Sequence, residues 1–175
     1  MTDDLSQADD APAQCQCGSL ADLAVVPMGD EGLDERVFAT LELVCKHGPE
    51  LWWLYVSQCG LCRQHWLVAQ DERIYDTYYL KRLSPAAARD IMASGNWPDD
   101  FITYERVLAL GSKMALKWHF LDPFAYSLQF TVEDLRKERP GISPREIATL
   151  LGITHVHARK LFWKVRLLGA AKLPG

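Results

Sequence analysis

Four of the chain's five cysteines fall in two tight pairs, Cys15-Gln16-Cys17 and Cys59-Gly60-Leu61-Cys62, with 41 residues between the pairs. Each pair must sit on one turn, and anything that joins the pairs closes the segment between them into a loop. The cysteine count is odd and no export signal is legible, so a disulfide framework explains the pattern poorly and metal ligation explains it better. Four thiolates would fill a tetrahedral ion and leave no position for water, so the ion expected is a structural Zn²⁺ bound by Cys15, Cys17, Cys59 and Cys62. Folding would then be tied to metal. The competing readings are free thiols buried in a core and a redox Cys-Gly-Leu-Cys, the latter lacking the βαβ pattern such a motif sits in.

Composition sets the frame for that loop. A chain of 175 residues with a 49% hydrophobic fraction can bury one ordinary core or two small ones. The N-terminus, with Asp3, Asp4, Asp9 and Asp10, is acidic where a signal peptide would be basic, and no run approaches the roughly 18 apolar residues of a membrane span. The expectation is a cytoplasmic protein with no membrane partner. Residues 1–13 read as a flexible acidic tail, and ordered structure is expected from about residue 14.

Between the cysteine pairs the chain reads as strands. Residues 37–47 are rich in β-branched and apolar types, Gly48-Pro49-Glu50 breaks the run, and 51–58 resumes it, predicting a hairpin. Residues 65–70 follow the second pair, and Asp71-Glu72-Arg73 turns into 74–80, giving a meander of three or four antiparallel strands. Gly18 and Gly60 stand beside sulfurs, where a tight turn often needs positive φ. With its cysteine knuckles the region 14–83 resembles a zinc ribbon. The first pair departs from that pattern, with Gln14 where the usual spacing would place a cysteine, so Cys45, His47 and His65 stand as alternative ligands. Trp52, Trp53, Tyr55 and Trp66 read as core aromatics in preference to a base-stacking platform.

From residue 84 the period becomes helical. Ser84-Pro85 predicts an N-cap, with Gly95 as the stop. Asp99-Asp100 reads as the next cap, Phe101, Tyr104, Val107 and Leu108 as one face, and Gly111 as the end of that helix. Residues 114–120 are read as a further helical run, closed by Asp122-Pro123. Residues 84–125 are thus expected to be a helical connector packed on the sheet.

In residues 126–175, Thr131-Val132-Glu133-Asp134 reads as a capping box opening a helix that Pro140-Gly141 closes, and Ser143-Pro144-Arg145-Glu146 as a second box. The second helix reaches Leu151, turns through Gly152-Ile153-Thr154, and passes into a third ending near Leu168. This stretch resembles a helix-turn-helix: Ala148 is small at the crossing, Gly152 sits in the turn, and Ile147, Leu151, Ile153, Ala158 and Leu161 occupy core positions. The resemblance implies that Thr154, His155, Val156, Arg159, Lys160 and Trp163 face DNA, with Arg145, Lys164 and Arg166 meeting phosphates.

The fold class expected is therefore α+β: a small antiparallel zinc ribbon, a helical connector and a three-helix helix-turn-helix domain. Charge agrees with that division, since residues 1–130 carry 10 Lys+Arg against 19 Asp+Glu, and residues 131–175 carry 9 against 4. A basic module on an acidic protein attracts phosphate backbones locally. The function expected is double-stranded DNA binding of a transcription-regulator type, with a homodimer allowed. The alternative is a protein-interaction adaptor or immunity-type protein that engages a protein partner through the ribbon and the acidic face. No Ser-His, Walker or paired-carboxylate motif supports an enzyme.

Overall fold

The computed structural model describes residues 13–29, 31–48, 52–117 and 122–170. Five antiparallel strands form one sheet in the order β1-β5-β4-β3-β2: β1 (Leu23–Pro27), β2 (Leu41–Lys46), β3 (Leu54–Cys59), β4 (His65–Asp71) and β5 (Thr77–Leu83). The meander expected from the sequence is β2 to β5. β1 is an addition, pairing with β5 from Leu23↔Lys81 to Pro27↔Thr77. Its five residues lie outside the apolar runs that mark the other strands.

The helices among the described residues are α1 (Leu33–Phe38), α2 (Pro85–Ser94), α3 (Tyr104–Lys113), α4 (Tyr126–Glu138), α5 (Pro144–Leu151) and α6 (His155–Ala170). The expected strand over 37–47 begins too early, because Val37 and Phe38 close α1. Leu33 and Val37, one turn apart, pack on the sheet, and the Asp34 carboxylate accepts from the Gly29 N–H at 2.8 Å. Strand pairing starts only at Leu41↔Cys59 and carries a bulge between Leu43 and Cys45 that spoils the alternation. The turn expected at 49–51 lies outside the described residues, as do residues 1–12 of the tail.

Strand alternation divides the core in two. Leu67 and Ala69 of β4 face the helices together with Leu54, Val56 and Tyr79. Trp66 and Val68 face the other way, toward Cys17, Ala24, Val26, Val37, Cys59 and Leu80. The helical-side core runs without a break from Trp53 on the sheet to Val165 on α6. Trp53 and Trp66 are buried, as expected of core aromatics.

A fully buried carboxylate fixes the sheet to the helices. Asp71 accepts from the N–H groups of Arg73, Ile74 and Tyr75 at 3.0–3.1 Å and from the Tyr104 hydroxyl of α3. Three signals in this region work differently from their sequence reading. Thr103, not the Asp99-Asp100 pair, caps α3 through the Arg106 N–H. Gly111 lies inside α3, which runs on to Lys113, and residues 114–117 are not helical. Residues 118–120 of the further helix expected there lie outside the described residues. Thr131 opens no helix: α4 starts at Tyr126, and the buried Thr131 hydroxyl donates to the Ser127 carbonyl at 2.7 Å.

Candidate metal centre and basic helix face

The cysteine site is assembled from two turns on the face of the sheet away from the helices. The second turn links β3 to β4: the Arg63 N–H donates to the Cys59 carbonyl at 3.0 Å and the Cys59 N–H to the Gln64 carbonyl at 2.9 Å. Positive φ falls on Arg63, at 65°, and on neither Gly18 nor Gly60, where the sequence placed it. The first turn is closed by the Ser19 N–H and hydroxyl, which both donate to the Gln16 carbonyl at 3.0 and 2.8 Å.

The Sγ atoms of Cys15, Cys17, Cys59 and Cys62 all lie within 4.8 Å of one another. Cys15 and Cys59 are 3.7 Å apart, far beyond the roughly 2.05 Å of a disulfide. A tetrahedral ion with Zn–S bonds of about 2.3 Å would separate its sulfurs by about 3.8 Å. The donor set and its spacing therefore fit a metal ion. Among the described residues the alternative ligands stand outside this group: Cys45 packs against the helical-side core, the His47 ring lies edge-on to Trp97 at 4.9 Å, and His65 is not part of the cluster.

The surroundings of the sulfurs are uneven. Burial pushes the Cys17 thiol up to about 12, even with the Trp66 indole N–H donating to its sulfur at 3.2 Å. At Cys59 burial acts in the same direction but is outweighed by the Cys62 N–H, the Thr40 hydroxyl and the Leu61 N–H, which bring it down to about 6. Donors aimed at a sulfur favour the thiolate that a metal requires.

Sequence reasoning missed the residue that holds the two turns together. Arg82 of β5 donates from Nη2 to the Cys17 and Leu20 carbonyls at 2.9 and 2.8 Å and from Nε to Asp22 at 2.9 Å. Its guanidinium lies over the Trp66 ring, 4.4 Å from the centroid. Period-2 alternation puts Arg82 on the same face as Leu80, which is the only trace of this role in the sequence.

The basic residues of the C-terminal segment converge separately. Ser143 and Glu146 form the reciprocal capping box at the start of α5, and Gly152 takes φ 63° at its end. The Thr154 hydroxyl accepts from the His157 N–H at 3.2 Å and so caps α6. Ile147, Leu151, Ile153, Ala158 and Leu161 are buried between the two helices, as the sequence positions required.

Facing away from that core, α6 exposes His155, Val156, Arg159, Lys160, Trp163, Arg166 and Leu167, with Lys164 partly covered and Arg145 exposed on α5. Val156, Trp163 and Leu167 form an apolar stripe; Arg159 and Arg166 lie on one side of it, Lys160 and Lys164 on the other. Arg166 stacks on Trp163 at 4.9 Å and Lys164 on Phe124 at 4.9 Å. Ion pairs among the described residues employ Arg73, Lys81, Arg82, Arg106, Lys137 and Arg139, and none of the five cations on this face. His157 turns away from that face, with its ring against Phe124 and Nε2 bonded to the Pro123 carbonyl.

No helix among the described residues is long and apolar enough to cross a membrane. The chain is a mixed α+β protein with a five-stranded antiparallel sheet and four clustered cysteines that could hold a metal ion; no protein-family model, curated protein or solved structure matches it.

Proposed function

We propose that the chain is a double-stranded DNA-binding protein of transcription-regulator type, in which α5 and α6 act as a helix-turn-helix and Zn²⁺ staples the cysteine-bearing face of the sheet. The observation that carries this reading is the set of cations Arg145, Arg159, Lys160, Lys164 and Arg166, exposed or partly exposed on one helix pair without carboxylate partners among the described residues. Elsewhere in the molecule basic side chains are largely spent on ion pairs. Cations left free on a rigid helix are what phosphate contact uses, and Arg159 is placed for bidentate contact with guanine. The zinc is structural in this reading, since four thiolates complete its coordination.

The test is fluorescence anisotropy on a pool of random-sequence duplexes. Affinity is expected to fall steeply with salt, with a log–log slope of about −0.9 per phosphate neutralised. Arg159→Ala with Lys160→Ala should weaken binding at least about tenfold and flatten the slope by about two. Unchanged binding in that double variant would remove the assignment of α6.

The adaptor or immunity-type reading has one feature in its favour. An open groove of about 300 Å³ on the sheet, lined by Phe38, Leu41, Leu43 and Tyr55 with Lys46 at its rim, suits a protein partner. In that reading Leu43→Asp removes partner binding and leaves DNA affinity unchanged.

A further inference from the structure

We propose that the cleft between β1, β5 and α3 binds a small amphiphilic anion, an alkyl or aryl carboxylate whose body lies along α3 and whose head group meets Lys113. The proposal is independent of the DNA-binding reading. The cleft encloses about 450 Å³, within the range of small-molecule sites. Its floor is apolar: Phe101 is buried beneath it, and Leu23, Ala109 and Leu110 form the walls. Leu23 is an edge-strand side chain left 38% exposed, so apolar surface remains for a ligand to cover.

The rim decides the charge of that ligand. Both carboxylates at the rim are already paired, Asp22 with Arg82 at 2.9 Å and Asp100 with Lys81 at 2.7 Å. On the cationic side, Arg106 has only a long contact with Asp99 at 3.6 Å. Lys113 makes no ion pair among the described residues. The charge left unspent around the apolar floor is therefore positive. An apolar floor with an uncompensated ammonium at one end selects an anion with a hydrophobic body over a cation or a purely polar ligand.

The experiment uses the full chain as purified and sodium dodecanoate below its micelle concentration. Calorimetry should show one saturable site, and methyl resonances of Leu23 and Leu110 should shift on titration. Lys113→Glu should weaken binding about fivefold, the size of one solvent-exposed charge contact. Dodecyltrimethylammonium, with the same tail and the opposite charge, should bind more weakly than dodecanoate. Ala109→Phe, which fills the cleft, should abolish the site; should that variant fail to fold, the methyl shifts in the unaltered chain decide. Equal affinity for the cationic amphiphile, shifts confined to other residues, or indifference to Lys113→Glu would each overturn the proposal.

Discussion

Glu146 does two jobs at the start of α5. Its carboxylate accepts from the Ser143 N–H at 2.8 Å, completing the capping box, and from Arg139 at 2.6 Å, an arginine that also holds Glu105 of α3. The Ser143 hydroxyl, the Ser143 N–H and the Arg139 guanidinium together lower its carboxyl to about 2. Because the folded value is depressed, the stabilisation is complete above the ordinary value of 4.5 and is lost as pH falls through about 2. A carbon-detected titration of the Glu146 carboxyl should have its midpoint near 2, and both Ser143→Ala and Arg139→Ala should move it upward. A midpoint at the ordinary value in the unaltered chain would mean that neither bond forms in solution. This is the residue whose role was most legible beforehand, because a capping box is written in four consecutive residues. Arg139 was not legible, since its partners are distant in sequence and only the packing of α3 on α5 brings them together.

At the scale of elements, Gly111 shows why a correct residue signal was assigned the wrong meaning. Glycine near the end of a helical pattern ordinarily marks a stop. Here it is the point where α3 approaches the sheet so closely that a Cβ would stand 2.4 Å from Tyr75 Cδ2 and 2.7 Å from the Tyr79 hydroxyl oxygen. Gly111→Ala would gain about 1 kcal/mol of helix propensity. It would lose more to overpacking, which costs about 1–3 kcal/mol and is at its worst against two aromatic rings fixed in a sheet. The expected outcome is a net loss of stability in chemical denaturation and a lower Tm, with a gain in Tm contradicting the close approach. Thr131 was misread for a related reason. A Ser/Thr-x-x-acid pattern marks a helix start only where its first residue is outside the helix, and burial of Leu128 and Gln129 extends α4 back past it.

For the whole molecule, the two faces of the sheet make separate demands, and metal removal should distinguish them. The helical side is one apolar core from Trp53 to Val165, built from residues whose period was visible in sequence. The other side is thin. Beyond Trp66, Val68, Leu80 and the short α1, it depends on the turn at 15–22 being held down by Arg82 and by whatever joins the four sulfurs. With so little apolar surface there, an ion bound only by the folded state adds stability as RT ln(1 + [metal]/Kd), about 4.1 kcal/mol at a thousandfold excess over Kd. Protein purified without chelator should carry one Zn²⁺ per chain, and Cys59→Ser or Cys62→Ser should lose it. Chelation should lower Tm and shift Trp66, whose indole bonds Cys17, from a buried to a hydrated fluorescence environment, while far-UV circular dichroism of the helical side changes little. A metal-free chain with unaltered Tm and a still-buried Trp66 would show that Arg82 and α1 close this face alone, leaving the four thiols as packed side chains.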